Sequence, residues 1–207
     1  MRLVSRLTVL IIFFVLLSAS RVQEIDATHA TRTIEVCVLN DKGSPVKAEV
    51  IRQAINSVSR EYENHVSIRF KAHTFAPFKG SVGILPVDFG RFVKNVCTPS
   101  NEVRIIFTNE PMEFPRQDGR IEELLGYAHE NTGVIILYNV EKQSRDLDQG
   151  GNSALETSLK HEIGHLFGLE HTTDKESFIH FISNLSCGRW TIEVERLIKE
   201  NKWRKWL

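Results

Sequence analysis

The sequence predicts an α+β domain built from one sheet and two long helices, with a further helix near the C-terminus. Residues 33–39 form a β-branched, alternating stretch, and an amphipathic helix pattern and a second alternating stretch follow it. Three more strand patterns lie between residues 103 and 138. Another long helix pattern begins after Ser153, behind a strong N-terminal capping signal. Strands and long helices in this order are typical of the α+β class.

Residues 33–39 are expected to be the first strand of a strand–helix–strand unit, and residues 40–43 form the turn after it. Ser44 and Pro45 then predict a helix N-cap and a first helical residue. The helix has apolar side chains three or four residues apart, at Val50, Ile51, Ala54, Ile55, Val58 and Tyr62. The second strand carries Val66, Ile68, Phe70 and Ala72. Two strands joined by a helix imply a parallel pair with the helix packed across it.

The middle of the chain is expected to contain the remaining strands and two loops. Residues 74–101 are rich in Phe, Pro and Gly and predict a long structured loop. Residues 111–120 predict another loop, and residues 141–152 are polar and lack a periodic pattern. The strands are expected at residues 103–108, 124–129 and 134–138.

The second long helix has a clear start. Ser153 and Glu156 form a capping box, in which each side chain accepts a hydrogen bond from the other residue's backbone N–H. The buried face of this helix is expected to carry Leu155, Leu159, Ile163 and Leu166. The helix therefore continues into the histidine-rich run that follows.

A shorter amphipathic helix is expected after residue 190, where Val194, Leu197 and Ile198 share a face. Trp203 and Trp206 lie beyond it among basic residues, a pattern that also occurs in segments that touch a membrane surface. We favour a helix docked on the domain over membrane contact.

The run from His161 to His171 has three histidines and a glutamate at the spacing of a catalytic metal site. His161 and His165 are four residues apart, so on a helix both rings project from one face and can reach one ion. Glu162 would lie beside the ion, where a carboxylate can act as general base toward an activated water. His171 can join only if the helix ends, and Gly168 can turn the chain back without a Cβ penalty. Histidines satisfied by core hydrogen bonds, the alternative, explain the set poorly.

The segment HEIGHLFGLEH resembles the HExxHxxGxxH signature of the metzincin zinc metalloproteases and is most similar to the matrixin-type version. The resemblance implies that His161, His165 and His171 bind one catalytic Zn²⁺. It implies that Glu162 is the catalytic general base. It also implies the metzincin, or zincin-like, fold: a twisted, mostly parallel five-stranded sheet with an antiparallel edge strand, two long helices and a C-terminal helix.

In metzincins, the strand before the last one of the sheet runs along the cleft and pairs with the substrate backbone. The corresponding strand here contains Gly126, Tyr127 and Ala128. Pairing through an exposed edge gives affinity from main-chain hydrogen bonds, so the resemblance implies a protein or peptide substrate. The alternative is an ordinary edge strand, and we favour the substrate role.

Several positions depart from the family pattern. Metzincins carry a methionine in a tight turn beneath the zinc, and Ile179 stands there in this sequence. Isoleucine fills a similar volume, so we expect zinc binding to be retained. Phe181 stands where astacin-like and serralysin-like members have a zinc-contacting tyrosine. His180 could approach the cleft, but we expect it to face solvent or the C-terminal core. Residues 100–152 show no match to the second zinc or calcium sites of matrixins, and no cysteine-bearing prodomain is expected.

Residues 1–20 are predicted to be a signal peptide and residues 21–207 the metalloprotease domain. Arg2 and Arg6 precede the apolar stretch of residues 7–19, which is too short to span a bilayer. An uncleaved membrane anchor is the alternative. We expect a secreted protein, extracellular or periplasmic, with no stable membrane insertion once the signal is removed.

Three cysteines, Cys37, Cys97 and Cys187, predict one disulfide and one free thiol in an exported protein. The sequence leaves the pairing open. Cys97 and Cys187 lie in loop-like surroundings, whereas Cys37 lies in a strand pattern, which weakly favours a Cys97–Cys187 bridge.

The chain has 26 basic and 26 acidic residues, so its charge gives no reason to expect nucleic acid binding. We expect a monomeric, zinc-dependent endopeptidase that hydrolyses peptide bonds through zinc-activated water. The alternative, motivated by Ile179 and Phe181, is a catalytically impaired zinc-binding homologue that acts as an interaction module.

Overall fold

A computed structural model describes residues 30–41, 44, 46–78, 96–98, 100–115, 119, 121–146, 153–180 and 188–206. The chain divides into two units, Met1–Thr31 and Arg32–Leu207. Only Ala30 and Thr31 of the first unit are described, so the predicted signal peptide and its boundary lie outside the described residues. Within the described part of the chain, no helix is both long and apolar enough to cross a membrane.

A five-stranded sheet lies at the centre of the second unit. The strands of the described residues are β1 (Arg32–Asp41), β2 (Ile68–Phe78), β3 (Val103–Phe107), β4 (Met112–Pro115), β5 (Ile121–Leu124), β6 (Gly126–His129) and β7 (Val134–Leu137). The sheet has the order β2-β1-β3-β7-β6, and all its neighbours are parallel except β6, which runs antiparallel to β7 at the edge. The predicted fold class is confirmed.

The helices of the described residues are α1 (Ala48–Val66), α2 (Val140–Arg145), α3 (Ala154–Leu166) and α4 (Ile192–Glu200). The apolar face of α1 packs against the parallel strands, as the strand–helix–strand pattern predicted. α1 ends with Val66, which was expected in the second strand. Ser67 follows as the C-cap, and its left-handed φ of 55° turns the chain directly into β2.

The start of α1 differs from the prediction, which placed its N-cap at Ser44 and its first residue at Pro45. The helix begins at Ala48 and has no side-chain cap. The Ser44 hydroxyl instead accepts a hydrogen bond from the N–H of Val46 at 3.2 Å, and the Ser44 N–H donates to the carbonyl of Asp41 at 3.0 Å. Ser44 therefore closes a turn after β1, and this local hydrogen bonding competes with helix formation.

Regular structure also forms in segments where none was expected. β2 continues to Phe78, into the loop predicted at residues 74–101, and β5 begins at Ile121, before the strand predicted at residues 124–129. The loop prediction for residues 111–120 is wrong in part, because β4 lies there and pairs with β5 in a separate antiparallel hairpin. α2 occupies part of the polar segment at residues 141–152. The buried amide of Gln143 in α2 donates to the carbonyls of Leu125 at 2.8 Å and Tyr138 at 2.6 Å. These contacts lie outside the helix, so periodicity could not indicate them.

A disulfide joins Cys37 in β1 to Cys97, with 5.8 Å between the Cα atoms. The weak preference for a Cys97–Cys187 bridge is therefore wrong, and Cys187 lies outside the described residues. Both bridged cysteines are buried in a second apolar cluster beside the main core. The bridge therefore holds the segment around Cys97 against β1. The bridge spans 60 residues of sequence. Chain entropy alone would make a closure of that length worth about 4 kcal/mol.

An aromatic cluster ties α1 to α3. The rings in contact with that of Tyr62 belong to Phe70, Phe167, Phe178 and Trp190. The Tyr62 hydroxyl also donates to the carbonyl of Lys160 in α3 at 3.0 Å. Burying one large apolar side chain stabilises a fold by about 1.5–3 kcal/mol. The cluster therefore holds α3 against α1.

The segment after α4 docks on the domain, as the preferred interpretation predicted. The indole N–H of Trp206 donates to the carbonyl of Leu166 at 3.2 Å, and its ring lies 5.6 Å from that of Phe167. Trp203 is 54% exposed. The two tryptophans therefore have different roles, one as a packing residue and one at the surface.

Candidate metal centre

α3 carries the histidine motif and begins with the predicted capping box. The Ser153 hydroxyl accepts a hydrogen bond from the Glu156 N–H at 3.2 Å, and the Glu156 carboxylate accepts one from the Ser153 N–H at 3.2 Å. These bonds satisfy N–H groups that a helix start leaves unpaired. His161 and His165 lie toward the other end of the helix and on one face of it.

The chain turns back directly after α3, which brings His171 beside the two helical histidines. Gly168 has a φ of 81°, in the left-handed region that favours glycine. The N–H of Leu169 donates to the carbonyl of Gly164 at 3.2 Å, a closure typical of helix C-termini. Gly168 therefore makes the turn predicted for it.

The Nε2 atoms of the three histidines converge on one point. The distance between them is 3.0 Å for His161 and His171, and 3.1 Å for each of the two pairs that include His165. Tetrahedral zinc with Zn–N bonds of about 2.0–2.1 Å would hold its nitrogens roughly 3.3 Å apart. His161 is buried and His171 is exposed, so the cluster opens to solvent on one side. The arrangement fits one ion with a free coordination position.

The other ring nitrogens show why a cation belongs between these rings. Nδ1 of His161 lies 3.0 Å from the carbonyl of Phe178, and Nδ1 of His165 lies 2.6 Å from that of Leu169, so each must donate. A neutral ring that donates through Nδ1 has only a lone pair on Nε2. Two such lone pairs 3.1 Å apart repel each other, and a cation turns the repulsion into coordination. Three neutral imidazoles are a ligand set that zinc accepts.

Burial keeps the rings neutral. It lowers the pKa of His161 to about 3, and the nearby His165 acts in the same direction. Burial is also the main cause that lowers the pKa of His165 and that of His171. Because a metal ligand must be an unprotonated imidazole, ion binding at neutral pH would displace few protons from these rings.

Glu162 is buried beside the histidines, with 6% of its surface exposed. Burial raises the pKa of its carboxyl to about 8. A nearby divalent cation favours the ionised form and would draw this pKa down. A carboxyl whose proton affinity is set by burial and by a neighbouring cation suits a group that accepts a proton during catalysis.

Ile179 packs beneath the helix turn that separates the two helical histidines. It is 2% exposed, and a Cβ atom built on Gly164 would lie 3.1 Å from its Cδ1. The preceding residue, Phe178, supplies the carbonyl that orients His161. Phe178 and Ile179 therefore form a floor under the cluster. Phe181 lies outside the described residues.

The strand that holds Gly126, Tyr127 and Ala128 is β6, at the edge of the sheet. Within the described strands, β6 pairs only with β7, so none of those strands occupies its outer edge. Gly126 lies directly against the side chain of Glu162. Tyr127 is 38% exposed. The fold thus brings the expected substrate strand next to the expected base.

Comparison with known proteins identifies the fold. No family model and no curated protein matches the sequence. Archaemetzincin from Methanopyrus kandleri matches the structure with a TM-score of 0.59 and 16% identity, over 83% of this chain and 97% of that chain. Metalloproteinase-II from Bacteroides fragilis matches with a TM-score of 0.54 and 17% identity, over 84% of this chain and 55% of that chain. The chain has a metzincin-like fold.

The metzincin-like fold agrees with the observed sheet, which is mostly parallel with one antiparallel edge strand. At 16% and 17% identity, the likeness to the two solved structures is one of fold. Neither neighbour singles out the matrixin type that the motif resembles.

His180 follows Ile179 in the sequence, and the structure decides in part between the orientations considered for it. It is 2% exposed, so it does not face solvent. Electrostatic repulsion from the neighbouring His180 lowers the pKa of both His161 and His171, although less than burial does. The only sequence signal was its position next to Ile179, which does not show the direction of the side chain.

Proposed function

We propose that this chain is a secreted, zinc-dependent endopeptidase that hydrolyses peptide bonds in a protein or peptide substrate. The observation that carries this proposal is the convergence of three Nε2 atoms within 3.0–3.1 Å of one another, beside a buried carboxyl group. Three imidazoles that leave one side open are the ligand set of catalytic zinc, whereas structural zinc sites are closed by a fourth ligand.

In this proposal, His161, His165 and His171 hold one ion, and their orientation comes in part from backbone carbonyls. When bound, zinc would supply Lewis acidity that activates water and stabilises negative charge on the attacked carbonyl oxygen. Glu162 takes the proton from the attacking water and delivers it to the leaving amine.

The substrate would bind as an extended peptide along the outer edge of β6. Main-chain hydrogen bonds to Gly126, Tyr127 and Ala128 would supply affinity without regard to sequence. The half-exposed ring of Tyr127 would contact substrate side chains. The contact between β6 and Glu162 supports this placement, because a peptide on that edge lies near the base.

Export is part of the proposal. The predicted signal peptide at residues 1–20 supports it, and the Cys37–Cys97 disulfide fits an oxidising compartment. We further propose a monomer with one zinc ion and no membrane insertion after signal removal. The resemblance of the motif to the matrixin type is kept as a hypothesis about the subgroup.

The first test combines zinc stoichiometry with cleavage of a peptide library. We expect one zinc per chain and chelator-sensitive cleavage. Glu162→Gln should keep the zinc and lower kcat by at least about 10²-fold, because the base is removed while the ligands stay. Glu170→Gln, the same change at an exposed carboxylate of the motif, should leave kcat unchanged. Cleavage by Glu162→Gln at the wild-type rate would show that Glu162 is not the general base.

A catalytically impaired zinc-binding homologue that acts as an interaction module is the second candidate. Ile179, in place of the family's methionine, is the observation that favours it. Casein and gelatin cleavage, with and without a chelator, separates the two. Zinc-loaded protein that is folded and cleaves neither these substrates nor any library peptide supports the module.

A further inference from the structure

The side chain of Glu162 lies closer to Gly126 than any residue with a Cβ atom would allow. A Cβ atom built on Gly126 would be 2.6 Å from Cγ and Oε1 of Glu162 and 2.8 Å from its Cδ. Non-bonded carbon atoms pack at about 3.5–4.0 Å. Any side chain at Gly126 would therefore overlap the atoms that carry and form the carboxyl group.

Space, and not backbone conformation, is what requires a glycine here. The described glycines with positive φ are Gly119, Gly133, Gly168 and Gly188. Gly126 is not among them and begins the extended strand β6. Alanine would adopt this backbone conformation without strain, so the contact with Glu162 is the specific obstacle.

The start of β6 is held in place and cannot move away to make room. The carbonyl of Leu125, just before Gly126, accepts hydrogen bonds from the Tyr138 N–H at 3.0 Å and from the Gln143 amide at 2.8 Å. Gly126 is also the first residue of the ladder between β6 and β7. The flexible side chain of Glu162 is therefore the part that would yield to an added methyl group.

We propose that Gly126 is a positioning residue, whose missing side chain lets the edge strand rest directly on the Glu162 carboxyl group. The same strand would then align the peptide and hold the base beneath it. This role rests on the proposed function, because the peptide and the proton transfer belong to that function. A reacting group misplaced by about 1 Å can cost roughly 10²-fold in rate.

The contact itself is tested by thermal unfolding of zinc-loaded variants. Gly126→Ala should lower the Tm of the wild type. It should lower the Tm equally in a Glu162→Gln background, because glutamine keeps the atoms at the positions that overlap. In a Glu162→Ala background, where Cγ, Cδ and Oε1 are gone, the same substitution should leave the Tm unchanged. Equal losses of Tm in all three backgrounds would overturn the steric contact.

The positioning role is tested by kinetics on the same proteins. Gly126→Ala should bind one zinc, lower kcat roughly 10²-fold and change KM by less than about threefold, since the strand edge is kept. In the Glu162→Gln background it should cause no further loss of the residual rate. A raised KM with a normal kcat would overturn the positioning role, and so would kinetics equal to those of the wild type.

The two proposals fail in different ways. If wild-type protein cleaves peptides and Gly126→Ala is as active, Gly126 has no positioning role and the proposed function stands. If zinc-loaded wild type cleaves nothing, the proposed function fails and takes the positioning role with it. The coupling of the Tm values between Gly126 and Glu162 is then still measured, because unfolding needs no substrate.

Discussion

Burial acts in opposite directions on the two kinds of ionisable group in the metal centre. It lowers the pKa of His161 to about 3 and raises the pKa of Glu162 to about 8, because each group loses hydration of its charged form. The stability of protein stripped of metal by a chelator should therefore depend on pH in two windows.

Stability changes with pH in opposite directions in the two ranges. Below pH 6.5 the unfolded chain protonates His161 while the fold resists it until about pH 3, so stability falls as the pH drops through this range. Above pH 4.5 the unfolded chain ionises Glu162 while the fold keeps its proton up to about pH 8, so stability also falls as the pH rises through that range.

Glu162→Gln should remove the second window. In chelator-treated protein it should stabilise the fold at about pH 8.5 by a few kcal/mol, at about 1.4 kcal/mol per pKa unit, and much less at about pH 5. Urea denaturation at both pH values measures this. Glu170→Gln, at an exposed carboxylate, should change stability by less than about 0.5 kcal/mol at either pH. Equal stability of Glu162→Gln and wild type at the higher pH would contradict the raised pKa.

At position 179, a side chain of similar volume should replace isoleucine at little cost in stability. Ile179→Ala should cost about 2–5 kcal/mol, because the buried side chain packs against Gly164 and leaves a cavity when truncated. Ile179→Met should cost less than about 1.5 kcal/mol. Both variants should keep one zinc, since neither native nor introduced side chain supplies a ligand there. Denaturation and zinc content measure these effects, and loss of zinc from Ile179→Met would show that the shape of this side chain positions the ligands.

Among the elements, those with short-range causes were predictable from the sequence. The capping box at Ser153 depends on residues three apart, and α3 begins where it indicates. The strand patterns at residues 33–39 and 103–108 likewise placed β1 and β3 within two residues of their ends. The three histidines of the motif could be predicted to lie together because helical spacing and one glycine turn suffice to bring them together.

Elements that depend on distant contacts were not predictable. α2 forms where Gln143 can reach carbonyls outside the helix, and β4 forms where β5 can pair with it. The Cys37–Cys97 pairing follows from a loop that packs on the sheet, which no local pattern shows. The same holds for the contact between Gly126 and Glu162, which are far apart in sequence and meet only because β6 crosses α3.

At the scale of the whole molecule, β1 and residues 204–206 meet beside the C-terminal end of α3. Arg32 in β1 donates to the carbonyl of Arg204 at 2.7 Å, and its guanidinium lies 5.0 Å from the centre of the Trp206 ring. Trp206 in turn donates to the carbonyl of Leu166, the last residue of α3. The C-terminal segment thus supports the turn through which the chain reaches His171.

Trp206→Ala should therefore weaken zinc binding although Trp206 supplies no ligand atom. It frees a helix-end carbonyl and uncovers Phe167, so the turn that places His171 loses a support. We expect roughly 10-fold lower zinc affinity and a loss of about 1–3 kcal/mol of stability, measured by chelator competition and denaturation. Trp203→Ala, at a ring that is 54% exposed, should change neither. If Trp206→Ala lost stability but bound zinc as tightly as the wild type, the segment would cover the core without positioning the ligand.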